Sequence, residues 1–326
     1  MIRWGILGTA RINRRLIPAM RAARRSTLIA VASRDRDRGE AYAREWAIGR
    51  AVHGYDALLA DPTIDAVYIP LPNNEHVPWT LAAIAAGKHV LCEKPIALNA
   101  GDVDRIARAA SAANVVVEEG YMYRHEPMTA RVAQLLGDGA IGAIRAMVSG
   151  FTFSLTDTAN IRLLPELGGG SLWDVGCYPV SYAQFLLGHA PTLVAGIAHW
   201  TASGVDDEFT GLLRFDGGVT ASVYSGFRAG PRTWLEVLGS DGTLTVPNPF
   251  KPGPVESLDL ERGGRHEPIT VDGSPEIFVR EVEDFESAVL DGRPPVVSLA
   301  ESRHTVGTIS ALYAAARADG QKLYTQ

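Results

Sequence analysis

Three ionisable side chains stand where they could act on a hydroxyl or a carbonyl group. Lys94 lies in Glu93-Lys94-Pro95, directly after a short apolar run. Asp174 and Tyr178 are four residues apart in a segment of helical patterning, so they share a helix face. A phenol titrates at about 10 when unperturbed. A neighbouring ammonium favours the phenolate and brings that value down. The same ammonium stabilises an alkoxide as it develops. On this reading Tyr178 gives and takes the proton, Lys94 polarises the substrate oxygen, and Asp174 anchors a neighbouring hydroxyl or Lys94 itself. Each residue has a plainer alternative. A tyrosine on an amphipathic helix is ordinarily a core or boundary residue, a lysine before proline is a turn residue on the surface, and an aspartate at that place caps a helix or pairs with a cation.

A second group could hold a dinucleotide. In Gly5-Ile6-Leu7-Gly8-Thr9-Ala10-Arg11-Ile12-Asn13 a strand turns into a helix, and free N–H groups at a helix start favour a pyrophosphate. Against G-x-G-x-x-G the match is degraded: Gly8 fits, Ala10 is a small substitute, and Asn13 replaces the third glycine. The next strand ends Ala32-Ser33-Arg34, where an NAD-preferring fold usually places a carboxylate. A hydroxyl and a guanidinium suit a 2′-phosphate instead, with Arg38 one turn further on. This points to NADP, with NAD as the other possibility. Asp35 is the rival ligand for a ribose hydroxyl, and it is also placed to cap the following helix. The alternatives are an ordinary strand-to-helix turn and a solvated basic patch.

Elements that would position these groups follow from hydrophobic periodicity. The first third alternates strands (2–7, 28–32, 66–69, 89–92, 115–118) with helices (10–23, 35–46, 77–86, 99–113), the rhythm of a parallel sheet with right-handed crossovers. A helix over 128–136 and a strand over 144–153 precede Gly168-Gly169-Gly170 and a helix over 171–187. Strands over 194–199, 209–215, 219–227, 234–238 and 243–246 predict an antiparallel sheet. Residues 247–275 are rich in Pro and Gly and read as a surface excursion. Two helices close the chain, one with Phe278, Val282, Phe285 and Val289 on a face, the other with Ser298 and Glu301 as a capping box.

The 326 residues suit two domains, and 46% hydrophobic with 21% charged residues is ordinary globular composition. A net charge of −6 argues against nucleic acid or an anionic membrane as the main partner. No apolar run reaches the roughly 18 residues of a membrane helix, and no signal peptide is visible. Two cysteines, Cys92 and Cys177, fit a reducing cytoplasm and build no cysteine-rich metal site. No compact metal-ligand motif is present.

Four landmarks together resemble the glucose-fructose oxidoreductase, inositol dehydrogenase and rhizopine-catabolism (Gfo/Idh/MocA) family. They are Gly5 to Ile12; Pro72-Asn73-Asn74-Glu75-His76; Ala86-Gly87-Lys88-His89-Val90-Leu91-Cys92-Glu93-Lys94-Pro95; and Gly168 to Pro179. Tyr178, where many inositol dehydrogenase relatives carry His, is similar to the dihydrodiol, aldose (xylose-type) dehydrogenase and keto-sugar reductase branches, as is Tyr121-Met122-Tyr123-Arg124-His125-Glu126-Pro127. The resemblance implies a Rossmann domain over 1–120 and, over 121–326, a substrate-binding and oligomerisation α/β domain with a large open, mostly antiparallel sheet. It implies a hydride exchanged between nicotinamide and a sugar, keto-sugar or cyclic diol, and pairing through the open sheet into a homodimer or homotetramer. It places Gly8, Thr9, Ala10, Arg11, Ile12, Ser33, Arg34, Arg38, Leu71, Pro72, Asn73, His76, Glu93 and Lys94 around the cofactor. His76 either touches the nicotinamide ribose or merely ends a loop. Tyr123, Arg124 and Arg162 are candidate substrate contacts, with domain packing or a surface ion pair as their alternatives. The family also contains cofactor-sensing regulators that have lost the reaction, and Lys94, Asp174 and Tyr178 together weigh against that reading.

Overall fold

The computed structural model describes residues 1–318. The described residues fold into two compact units, Met1–Glu126 with Ser274–Ser302, and Pro127–Gly273 with 303–318.

The first unit runs β1 (Ile2–Leu7), α1 (Asn13–Ala22), β2 (Ser26–Ser33), α2 (Arg36–Glu45), β3 (Arg50–His53), α3 (Tyr55–Leu59), β4 (Ala66–Ile69), α4 (Asn73–Ala85), β5 (His89–Glu93), α5 (Ala100–Ala113) and β6 (Val117–Gly120). The six strands form one parallel sheet in the order β3-β2-β1-β4-β5-β6. Its central strands are apolar on both faces, as parallel strands covered by helices must be: every residue of β4 is buried. The strand order reverses between β1 and β4. At such a switch point the loops leaving the carboxyl ends diverge and open a crevice. The loops after β1, β2, β4 and β5 all leave that edge. β3 and α3 are too short for periodicity to announce. α4 starts four residues before the expected 77, and it runs on through Pro78 at the loss of one ladder hydrogen bond.

The second unit begins with α6 (Pro127–Gly137) and β7 (Ile144–Thr152) and, after a π-helical turn over Leu172–Gly176, continues with α7 (Cys177–Leu187). Then come β8 (Leu193–Trp200), β9 (Asp206–Arg214), β10 (Thr220–Gly226), β11 (Arg232–Gly239), β12 (Gly242–Val246), β13 (Val255–Arg262) and β14 (Arg265–Asp272). Eight strands form the sheet β14-β13-β12-β11-β7-β10-β9-β8, antiparallel throughout except for the β7–β10 pair. The surface excursion expected over 247–275 is corrected: β13 and β14 are a hairpin that extends the sheet. Pro268 is tolerated because β14 is an edge strand, where a missing N–H breaks no ladder.

One face of this sheet buries Met147, Phe151, Phe209, Leu213, Val223, Leu235 and Val237. The other is apolar but open. Leu212 lies opposite Ala195 and Ser222, and Ser222 opposite Val148, so these share a face with Leu193, Ile197 and Leu238 by the period of two. On that face Ile197 is 77% and Leu212 55% exposed.

α8 (Ile277–Asp291) returns to the first unit and packs on α1. Phe285 is fully buried with its ring 5.0 Å from that of Trp4 in β1. Arg25 clamps the helix end through a two-pronged ion pair with Asp291. α9 (Leu299–Ala318) opens with the expected capping box: Glu301 N–H donates to Ser298 Oγ, and the Glu301 carboxylate accepts from Ser298 N–H at 3.0 Å. Among the described residues no helix is long and apolar enough to cross a membrane.

Candidate active site

The loop after β1 has the geometry that an anion cradle needs. Gly8 has φ +103°, a conformation that favours glycine, and a Cβ there would press on a Leu71 methyl at 3.0 Å. Its N–H closes on Ala32 O at 2.9 Å. The loop's own hydrogen bonds run from the N–H groups of Asn13, Arg14 and Arg15 back to the carbonyls of Ala10, Arg11 and Ile12. They leave the N–H groups of Thr9 to Ile12 uncommitted at the start of α1. Asn13 explains the missing third glycine. It is fully buried, and its side-chain amide donates to Gly8 O at 3.0 Å, locking the loop from behind.

β2 ends at Ser33, and the first carboxylate after it, Asp35, is engaged at the start of α2. Asp35 caps α2 by accepting from Arg38 N–H at 3.0 Å, which answers its two readings in favour of the cap. Ser33 is buried and accepts from Asp35 N–H, while Arg34 and Arg38 are exposed. Arg38 also reaches Thr9 O at 3.3 Å. Tyr55, from the unforeseen α3, stands between these loops: burial raises its pKa, and the adjacent Arg34 guanidinium pulls it back. An uncommitted run of N–H groups beside two exposed guanidiniums, with Asp35 engaged as a helix cap, fits a dinucleotide bearing a 2′-phosphate.

Leu71 and Pro72 form the entry to α4, Pro72 preceding its first residue, Asn73. His76, one turn in, is 1% exposed. Its Nδ1 lies 2.7 Å from Pro95 O and its Nε2 2.7 Å from Leu71 O. The neutral ring that burial favours donates its one N–H to one of these carbonyls, so His76 lies between the β4 and β5 loops as a tether. Glu93 accepts from the buried Tyr68 hydroxyl at 2.5 Å. Lys94 follows at the strand end, partly exposed, and its peptide bond to Pro95 is cis. The Ile96 N–H donates to the buried Glu119 carboxylate at 2.9 Å.

In the second unit Asp174 and Tyr178 are not on the uniform helix expected over 171–187. The π-turn at Leu172–Gly176 carries Asp174, and α7 carries Tyr178. Arg162 joins them: its Nε donates to Asp174 at 2.6 Å, and its high pKa is raised further by Asp174 first, then by Tyr178. Tyr178 is 5% exposed and packs against the rings of Phe151 and Phe250 at 5.4 and 5.5 Å. The π-turn is held at its start by Asp206, which accepts from Ser171 Oγ, Leu172 N–H and Tyr313 OH. Gly170 has φ +120°, and a Cβ there would lie 2.3 Å from the Asp206 carboxylate. The glycine run is therefore a packing requirement of this turn.

Comparison with known proteins matches both parts of the chain. A model described as "Oxidoreductase family, NAD-binding Rossmann fold" covers residues 2–121, and the GFO/IDH/MocA C-terminal domain covers residues 129–245. The NADP-dependent D-xylose 1-dehydrogenase 2 of Haloferax volcanii is 40% identical over 96% of this chain and 97% of its own. The chain belongs to the Gfo/Idh/MocA oxidoreductase family. Among solved members, a 3-ketoreductase from Actinomadura kijaniata in complex with NADP and TDP-benzene superposes with TM-score 0.91 at 32% identity, over 96% of this chain and 97% of that one. An aldose-aldose oxidoreductase from Caulobacter crescentus, complexed with glycerol, gives TM-score 0.90 at 28% identity over 97% and 98%.

In this Gfo/Idh/MocA member the remaining candidates have other engagements. Tyr123 is fully buried with its ring edge-on to Tyr121 at 6.0 Å. Arg124 pairs with Glu301 at 2.9 Å, its side chain 6% exposed. Sequence reasoning missed Asn13 as a loop lock, Tyr55, Asp206 and Glu119. The replacement of the third motif glycine by a side chain with an amide donor was the one available signal; the others depend on long-range contacts.

Proposed function

We propose that the protein is an NADP-dependent oxidoreductase that exchanges a hydride between nicotinamide and a sugar, keto-sugar or cyclic diol. One observation carries this reading. Solved variants of the Actinomadura ketoreductase replace a tyrosine by phenylalanine and a lysine by alanine or glutamate. Those two residues are separated by as many positions as Lys94 and Tyr178 are here. Family membership and the NADP-dependent relatives support the cofactor.

When bound, the cofactor supplies or accepts the hydride. Everything else falls to the chain. Thr9 to Ile12 offer their N–H groups to the pyrophosphate, and Ser33, Arg34 and Arg38 take the 2′-phosphate. Leu71, Pro72, Asn73 and Glu93 line the cofactor side of the β4 and β5 loops, with His76 bracing them. Lys94 polarises the substrate oxygen. Tyr178 gives that oxygen a proton in reduction and removes it in oxidation. Asp174, neutralised by Arg162, orients a neighbouring hydroxyl. The division of labour is a cofactor domain over 1–120 and a substrate-binding domain over 121–326 that returns Ser274–Ser302 to the first unit, with Arg162 closest in role to the substrate.

The deciding experiment is a panel of aldoses, polyols, cyclic diols and free and nucleotide-linked keto-sugars, assayed with NADP and NAD in both directions by nicotinamide absorbance. Tight NADPH binding with no turnover on any of them would instead identify a cofactor sensor.

Arg34→Ala is expected to weaken NADPH binding by roughly 10- to 100-fold, the loss of about two charge-assisted contacts at 1.5 kcal/mol each or less. NADH binding should barely move. Fluorescence titration checks this, and equal losses for both cofactors would remove Arg34 from the phosphate site.

The open apolar sheet face supports a homodimer or homotetramer formed through it in a cytoplasmic setting. Ile197→Lys with Leu212→Arg should lower the mass measured by light scattering at unchanged secondary structure. A mass that stays at the wild-type value would exclude this face.

A further inference from the structure

Glu119 is a charged residue type with no exposure, on the strand paired with the one that ends just before Lys94. β6 pairs with β5 so that Cys92 lies opposite Glu119 and Glu93 opposite Gly120. One carboxyl oxygen accepts the N–H of Ile96, two residues beyond Lys94, at 2.9 Å. The other oxygen, Oε2, is buried without a hydrogen-bond partner. Such an arrangement is costly and persists only where something compensates it. The groups facing the carboxyl are few. Glu93 and the Lys94 ammonium come from the end of β5 and the turn after it, and Ile96 N–H from the same turn. Ser302 Oγ comes from the first turn of α9, near but not aligned for a full hydrogen bond. The buried Cys92 thiol flanks it on β5.

Burial is the largest influence on Glu119 and pushes its ionisation up to about 7. Ser302, the Ile96 N–H and the Lys94 cation favour the carboxylate, and Glu93 opposes it. The group thus changes form near neutral pH.

We propose that Glu119 is a positioning residue: its carboxyl holds the Lys94-Pro95-Ile96 turn and supplies negative charge behind the Lys94 ammonium, so that gain or loss of the Glu119 proton is felt at Lys94. The balance is simple. One proton passes between the Glu119 carboxyl and water, and no bond to carbon changes. With Glu119 ionised, Lys94 is held as a cation. With Glu119 protonated, that support is gone. The catalytic consequence rests on the role proposed above for Lys94; the electrostatic coupling does not.

Reductive methylation of the full-length protein with 13C-formaldehyde keeps lysines positively charged and makes each visible by NMR. The chain has four lysines, and Lys94→Arg assigns the Lys94 signal. In the wild type that signal should show, besides its own titration, a step centred at about pH 7. Glu119→Gln keeps the shape and an acceptor for Ile96 N–H. It should abolish the step and lower the proton affinity of Lys94 by about tenfold. A wild-type trace without the step, or a step that survives in E119Q, overturns the proposal. The wild-type trace decides even if the variant fails to fold. No substrate is needed, so a step with no turnover on any substrate keeps this coupling and removes the oxidoreductase reading, while turnover without a step does the reverse.

Discussion

Replacing Tyr178 with phenylalanine is expected to lower kcat by about 100- to 10,000-fold, the usual worth of a positioned acid or base and about 3 to 5 kcal/mol of barrier. The substitution is clean because the ring is already in an apolar setting. Phe151 and Phe250 pack against it, so phenylalanine keeps the contacts and loses only the hydroxyl. Arg162 and Asp174 remain paired through their own 2.6 Å hydrogen bond, so the local charges stay where they were. NADPH binding, carried by the other unit, should be unchanged in a fluorescence titration. The measurement is kcat at saturating cofactor beside a melting curve. Normal turnover in Y178F would remove the tyrosine from the proton-transfer role and leave Lys94 as the remaining candidate.

Asp206→Ala should be the most damaging single change to the fold near this site, by about 3 to 5 kcal/mol in urea unfolding. Three donors converge on this carboxylate: Ser171 Oγ at 2.6 Å, Leu172 N–H at 2.8 Å and the Tyr313 hydroxyl. Each is left without that acceptor, and a stranded buried polar group costs about 1 to 3 kcal/mol. Ser171 keeps a contact with Ser225 at 2.9 Å, which softens the loss to less than the full sum. Asp206→Asn keeps the shape and one acceptor and should cost less. The carboxyl also has a pH signature. Burial raises its pKa, and the three donors only partly offset this. A carboxyl raised in the folded state contributes stability that is complete below the unfolded value and is lost as pH rises through the folded one. D206N should therefore be compared with wild type on both sides of the ordinary carboxylate range, where its deficit should shrink as pH rises. A deficit that grows with pH would mean that the three donors outweigh burial.

The first unit was legible because its cues are local. β1 and β4 have the bounds that hydrophobic runs predict, and Asp35 and Ser298 announce helix starts through side chains that bond within three residues. The hairpin of β13 and β14 was hidden by its own composition. Pro268 and the Gly263-Gly264 turn look like loop residues until β14 is known to be an edge. The π-turn under Asp174 was also invisible. It is imposed by Asp206 and Tyr313, residues far along the chain whose arrival no spacing rule anticipates. The same holds within the candidate site. Lys94 and Tyr178 could be named from their motifs. That Arg162 neutralises Asp174, or that His76 lies between two backbone carbonyls, depends on packing alone.

α8 gives the protein a particular birth order. Phe285 closes over Trp4, and Arg25 waits for Asp291. During synthesis the amino-terminal strands therefore leave the ribosome without the helix that seals them, and Pro127–Gly273 of the second unit emerges before it is delivered. Until then Trp4 and the inner side of α1 lack the apolar cover that α8 gives them. A gene fragment cut at the end of β6 would inherit that exposure permanently.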